Sequence, residues 1–314
     1  MMASMSRSVG EPSANGVPVA KAVTTANDVT IANGVPFVKG HGTGNDFVIV
    51  PDLDGTLSLT AKQVAALCDR RRGIGGDGLL RVVRTAASAE AAALTRGATS
   101  AQPPEWFMDY RNADGSLAEM CGNGARVFAR YLVAAGLAKG RRVSFLTRAG
   151  VVTASVRRSD VSVTMPPVVV GAPGIAQVAG VELKGTSATC GNPNLVCVVS
   201  DLDELDLRDA PWVDPSQFPA GANVEFVVPV AAGHVRMRVV ERGVGETQSC
   251  GSGACAVAGV VLSGSPGTVT VDVPGGRLTV TIDDDGACVL TGPAVLVATG
   301  TVSPPPQRRS RAQS

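Results

Sequence analysis

Two short runs hold the side chains best suited to chemistry, Cys121-Gly122-Asn123-Gly124-Ala125 and Cys250-Gly251-Ser252-Gly253-Ala254. Each sets a thiol immediately before an apolar stretch that reads as a buried helix, with glycines that leave the backbone amides bare. Free amides at a helix start favour an anion, and they draw a thiol pKa down from about 8.5 towards neutrality. The amides of Gly122, Asn123, Gly251 and Ser252 can together hold a carboxylate, with the two sulfurs flanking the carbon attached to it. One sulfur, as a thiolate, removes the α-proton, and the other, as a thiol, returns a proton to the opposite face. The stereocentre is inverted. No cofactor is needed if preorganised dipoles meet the developing charge.

The elements that must position these thiols are themselves repeated. After each motif and its helix come two strand-like runs around a glycine-containing turn, Val143 to Leu146 with Val151 to Val156, and Thr268 to Val273 with Arg277 to Ile282. A third run follows each pair, Val161 to Met165 and Cys288 to Thr291. Ala254 to Leu262 is apolar all round except at Gly259, and a helix without a polar face must be surrounded. Ala125 to Leu137 is similar apart from Arg126 and Arg130, which share one edge at i and i+4. The expected class is therefore α/β in the α+β sense. Two pseudo-symmetric domains each curl a mixed, mostly antiparallel sheet as a half-barrel around a central apolar helix.

A chain of 314 residues accommodates about two domains. The net charge of +1 gives no reason to expect nucleic acid or an anionic membrane surface. No stretch has the apolar length of a membrane span and the start lacks a secretion signal, so the expected location is cytoplasmic. The seven cysteines, an odd number, are scattered without a dense framework, which argues against structural disulfides. With no Cys-x-x-Cys pair and only His41 and His234, no metal site is expected. Both histidines are read as structural, and Cys197 and Cys255, inside apolar runs, as core.

Residues 1–35 read as a disordered extension, 36–165 as the first domain and 166–292 as the second. A closing strand over 293–302 and a disordered tail over 303–314 follow. Within the first domain a helix is expected from about Thr60 to Asp69, capped by Ser58 or Thr60. Residues 85–104, rich in Ala, Ser and Thr and ending in Pro103-Pro104, suggest an inserted surface loop. The run Gly73-Ile74-Gly75-Gly76-Asp77-Gly78 lacks the Lys-Ser/Thr end of a phosphate-binding loop.

Met108-Asp109-Tyr110-Arg111-Asn112-Ala113-Asp114-Gly115-Ser116 leading to the first cysteine motif, and Glu241-Arg242-Gly243-Val244-Gly245-Glu246-Thr247 leading to the second, resemble the two signatures of diaminopimelate epimerases. His41 to Phe47, Arg72 to Gly78, Gly191-Asn192-Pro193 and Asn223-Val224-Glu225-Phe226 extend the resemblance in order from about Pro36 to Thr301. It implies cofactor-independent interconversion of LL- and meso-diaminopimelate, feeding lysine and cell-wall synthesis. It also implies that the closing strand crosses back to the first domain. Cys121 and Cys250 become the acid/base pair, and Glu241 lies beside the reacting centre. Asn45 belongs to the N-terminal substrate loop, while Asn112, Asn192, Asn223 and Arg242 hold the distal amino-acid end. A two-pronged arginine suits that carboxylate. The implied partner is this small molecule, and whether the chain forms a homodimer stays open.

One position departs from the family pattern. Gly191-Asn192-Pro193 is followed by Asn194 where the family carries histidine, and an asparagine cannot accept a proton at neutral pH. Asn194 and Gly78 are therefore carried as open candidates. A racemase or epimerase of another amino acid, or a non-catalytic amino-acid-binding paralogue, stands as the alternative. For Glu241 the alternative is a salt bridge to an arginine.

Overall fold

The computed structural model describes residues 34–96 and 103–303. The expected extension and tail lie outside the described residues except at Gly34, Val35 and Ser303, and residues 97–102 lie outside them too. The first half contains β1 (Val35–Gly42), β2 (Asn45–Pro51), α1 (Ala61–Cys68), β3 (Gly78–Arg84), α2 (Ala89–Leu94), β4 (Trp106–Asn112), α3 (Gly122–Ala134), β5 (Arg142–Thr147), β6 (Gly150–Val156) and β7 (Asp160–Met165). Next come β8 (Val169–Val178), β9 (Val181–Cys190), β10 (Asn192–Val198), β11 (Trp212–Val213), β12 (Asn223–Ala231), β13 (His234–Glu241) and β14 (Gly245–Thr247). The chain then forms α4 (Gly251–Val261), β15 (Gly267–Val273), β16 (Gly276–Ile282), β17 (Cys288–Pro293) and β18 (Val295–Val302).

The ladders run β18-β1-β2-β3-β4-β5-β6-β7 on one side. On the other they run β8-β9-β10-β12-β13-β15-β16-β17. Parallel steps fall at matching places, β2–β3 and β4–β5 against β10–β12 and β13–β15, and every other step is antiparallel. A mixed, mostly antiparallel sheet around apolar helices is thus the observed class. The two halves meet where β7 pairs with β17, Met165 opposite Cys288 and Asp160 opposite Pro293. β18 leaves β17 yet pairs with β1, so the last strand belongs to the first half's sheet.

Each central helix is walled by strands. α4 is fully buried from Ala254 to Ala258. Its Gly259 lies so close to the sheet that a Cβ there would sit 2.5 Å from Val168 Cγ1, which accounts for the one gap in its apolar run. On α3, Val127, Phe128, Tyr131 and Leu132 are fully buried, and each large apolar side chain so placed contributes about 1.5–3 kcal/mol. Arg126, read from the sequence as lying on the helix edge, is also completely buried.

Two local details bear on the sequence reading. Thr60 caps α1 and forms a reciprocal box with Gln63. Part of the stretch expected as an inserted loop is helical: Ser88 caps α2, Ala91 is fully buried, and Glu90 pairs with Arg148 at 2.6 Å. Alanine is the strongest helix former, so a good cap and one buried face suffice. Among the described residues no helix is long and apolar enough to cross a membrane.

Candidate active site

Cys121 and Cys250 are the N-cap residues of α3 and α4. Each sulfur accepts a hydrogen bond from an amide of the first turn, Gly124 N–H at 3.4 Å and Gly253 N–H at 3.4 Å. The helix starts abut: a Cβ on Gly251 would stand 3.3 Å from Gly122 Cα and 3.6 Å from Asn123 N. Glycine at both positions permits that approach. The opening amides of both helices have no intrahelical carbonyl to bond, and their dipoles point into one space.

The thiols are not the low-pKa groups that the helix starts alone suggest. Burial pushes the Cys121 thiol up to about 11, against the Gly124 and Asn123 amides and the Arg126 cation that pull it down. Burial also drives Cys250 far up, helped by Glu241 and Glu225 beside it. Lost hydration therefore outweighs the amides at both sulfurs. Burial raises the pKa of Glu241, against the Thr247 hydroxyl, which donates to its carboxylate at 2.6 Å, and the nearby Cys250 thiol, which both pull it down. Among the described residues no arginine forms a salt bridge with Glu241, so it faces the sulfur instead.

Asn45 sits at the start of β2 with its Oδ1 3.6 Å from Cys121 Sγ and 3.3 Å from Asn123 Nδ2. Its own amide donates to Asp77 Oδ2 at 2.8 Å, and Arg70 bridges Asp77 and Asp46 at 2.7 Å each. The Gly73 to Gly78 run serves this scaffold: the amides of Gly73, Ile74, Gly75 and Gly76 bond carbonyls at the end of α1 rather than a ligand. Gly78 has a packing reason, since a Cβ there would lie 2.7 Å from the Tyr110 ring. Asn112, paired across from Gly78, donates to Ser116 Oγ at 3.0 Å.

On the other half, Asn192, Asn194, Asn223 and Arg242 form one chain of contacts. Asn194 is fully buried, donates to Asn192 O at 2.7 Å, and accepts from Asn223 Nδ2 at 3.1 Å. Asn223 Nδ2 is also 4.0 Å from Cys250 Sγ, and its Oδ1 accepts from the Arg242 amide at 3.0 Å. The exposed Arg242 guanidinium donates to Ala220 O at 3.1 Å and, among the described residues, pairs with no carboxylate. Ser252 Oγ lies 3.4 Å from Cys250 Sγ.

Four residues of the site escaped the sequence reading. Thr43, fully buried and held at a positive φ of 51°, donates to Ser249 Oγ at 2.7 Å. A β-branched residue rarely adopts that φ, so the loop before Asn45 is strained. Ser249 joins the two halves by accepting from Asn123 Nδ2 at its carbonyl, 2.9 Å away. Arg126 donates to both Thr43 and Asn123. Glu225 is fully buried on β12 with neither oxygen bonded, and burial with Glu241 nearby keeps its pKa far above the usual carboxylate range. Its place two residues after Asn223 on one strand puts both on one face, the single signal that could have flagged it.

The family model for diaminopimelate epimerase matches residues 37–170 and 186–297. The chain belongs to the diaminopimelate epimerase family. It is accordingly an isomerase. The family's diaminopimelate epimerase of Thermobifida fusca is 52% identical over 269 residues, covering 85% of this chain and 97% of that one. The diaminopimelate epimerase of Streptomyces coelicolor is 50% identical over 277 residues, covering 84% and 94%. Among solved structures, a hydroxyproline epimerase from Agrobacterium vitis superposes with a TM-score of 0.62 at 16% identity, over 86% of this chain and 92% of that one. A PhzF-family phenazine biosynthesis protein from Bacillus anthracis gives 0.61 at 17% identity, over 85% and 98%. At such identities the likeness is one of fold.

Proposed function

We propose that this diaminopimelate epimerase-family chain interconverts LL- and meso-diaminopimelate by moving the α-proton between Cys121 and Cys250. The observation that carries the reading is the pair of thiols capping two helix starts that abut across the halves. A substrate carboxylate received by the amides of Gly122, Asn123, Gly251 and Ser252 has one sulfur on each side of its α-carbon. One sulfur takes the proton as a thiolate. The other, a thiol, delivers its own to the opposite face, and the helix dipoles offset the carbanion charge between the two transfers.

Glu241, made more basic by burial and set beside the Cys250 thiol, accepts that sulfur's proton when Cys250 must act as the base. Asn45 and Asn123 orient the reacting end. Arg242, free of any carboxylate among the described residues, and Asn112, Asn192 and Asn223 receive the distal zwitterion. A substrate without that zwitterion leaves them unpaired, which disfavours a smaller amino acid. Asn194 acts as a spacer that holds Asn192 and Asn223 and takes no part in proton transfer. The free state of all seven cysteines fits a reducing cytoplasm.

The test is incubation of the reduced protein with LL-diaminopimelate in heavy water. Deuterium at the α-carbon with appearance of the meso isomer is expected, and Cys121→Ala and Cys250→Ala each abolish epimerisation. Binding without exchange would identify an amino-acid-binding protein that is not an enzyme. Full activity in either variant would refute the two-base mechanism.

A further inference from the structure

Arg126 is the only residue among the largest fully buried side chains that carries a charge, and among the described residues no carboxylate pairs with it. Its partners are neutral: Nη2 donates to Asn123 Oδ1 at 2.8 Å and Thr43 Oγ1 at 3.1 Å, Nη1 to Gly122 O at 3.4 Å, and Nε to Pro293 O at 3.5 Å. A buried cation without a counter-ion carries a large desolvation cost. Its place in the fold suggests what it serves. The guanidinium holds the start of α3, the β1–β2 loop and the end of β17 at once.

Its grip on Asn123 sets which way that amide faces. With Oδ1 turned to the cation, Nδ2 must point at Ser249 O and Asn45 Oδ1, 2.9 and 3.3 Å away. Thr43, held by the same nitrogen, reaches Ser249 Oγ. Ser249 immediately precedes Cys250. One cation therefore fixes the loops that carry both sulfurs.

The titratable neighbours of the two thiols also differ: Glu241 raises both, and only at Cys121 does a cation oppose it. Cys121 has the Arg126 cation on its own helix, with Tyr110 from β4 and Glu241 from β13 as the other titratable neighbours. Cys250 faces two buried acids, Glu241 from β13 and Glu225 from β12, and no cation offsets them. A Cβ on Gly253, in the first turn above Cys250, would lie 2.5 Å from Glu225 Oε1, so that carboxyl is packed directly against the helix start. Paired groups in opposed surroundings divide the acid and base roles.

We propose that Arg126 is a positioning residue that locks both cysteine loops and makes Cys121 the first of the pair to ionise, leaving Cys250 as the thiol. The proposal rests on the two-cysteine reading above and deepens it. Its test needs no substrate: alkylation by iodoacetamide, followed against pH and resolved by peptide mass spectrometry at both sites in one sample. In the unaltered protein Cys121 titrates below Cys250. Arg126→Met, an apolar replacement that buried sites often accept without loss of stability, raises the Cys121 midpoint by about one pH unit, a tenfold fall in its alkylation rate at fixed pH. The Cys250 midpoint moves less, because the cation is not among its charged neighbours. Arg126→Lys keeps the charge and the Cys121 midpoint but cannot hold Thr43 and Asn123 together, so kcat in the heavy-water assay falls at least about tenfold with a smaller change in KM.

Cys250 titrating first in the unaltered protein overturns the proposal, whatever the variants do. So does an Arg126→Met protein whose Cys121 midpoint is unmoved, or whose two midpoints move by the same amount, since the latter marks a general loosening. Because alkylation is read without diaminopimelate, failure here is distinct from a wrong substrate, which would show as ordered midpoints with no exchange.

Discussion

The hairpin tip Pro274-Gly275-Gly276 joins β15 to β16 in the second half, yet it presses on the β1–β2 loop of the first. Gly275 N donates to Gln248 O at 2.9 Å, and a Cβ on Gly275 would come within 1.7 Å of Thr43 O. Carbon and oxygen tolerate no approach closer than about 3 Å, so Gly275→Ala forces one backbone to yield by more than about 1 Å. The yielding part is the strained Thr43-Gly44 turn, which hands the displacement to Asn45 and so to Cys121. A misplacement of about 1 Å costs about 100-fold in rate, and the overpacking itself costs about 1–3 kcal/mol. The heavy-water exchange assay and a thermal melt should report both effects. Gly140→Ala serves as the control, because a Cβ there meets nothing within 4 Å. If Gly275→Ala matched Gly140→Ala in exchange rate, the hairpin would have no part in placing the β1–β2 loop.

Two further outcomes follow from the buried charges. Glu225 has its pKa raised by burial, so the folded state holds a proton that the unfolded chain has released above the ordinary carboxylate pKa. Stability must therefore fall as pH rises from about 4.3 through the folded value, at about 1.4 kcal/mol per unit. Glu225→Gln should remove that slope, melting higher than the unaltered protein at neutral pH and level with it in acid; equal slopes would count against a neutral carboxyl. Asp109, 1% exposed, receives hydrogen bonds from Arg81, Arg111 and Arg148, which hold its pKa below the usual range. Its contribution is present above the unfolded pKa of about 3.9 and is lost as pH falls through the folded value. Asp109→Asn should cost about 3–5 kcal/mol in urea unfolding at neutral pH, and a loss under 1 kcal/mol would show that the three arginines find other partners.

The fold class was legible because two signals agreed, the duplicated cysteine motif and an α4 with no polar face. A sheet had to surround such a helix, and the glycine that interrupts it turns out to face Val168. The candidate thiols stood out because glycines after each of them bare the amides of a helix start. What stayed hidden depends on depth. Nothing in i, i+4 spacing distinguishes Arg130, half-buried and bonded to Ala294 O, from Arg126, which lies wholly inside the molecule. Ser249 and Thr43 are unremarkable in sequence, because their importance comes from meeting each other across 206 residues. The thiol pKa was misjudged on the same ground: the motif displays the amides but not the burial that opposes them.

The path of β18 has a consequence for taking the molecule apart. A single cut between β7 and β8 severs the chain at the junction of the halves, yet the second fragment still carries the strand that covers β1 in the first. The fragment ending at Pro167 would expose the bare edges of β1 and β7, and the fragment beginning at Val168 would bring β18 as an unpaired arm. The two pieces are complementary by shape and hydrogen bonding. Co-expressed, they should reassemble into one molecule, and the return of isomerase activity would report their recombination.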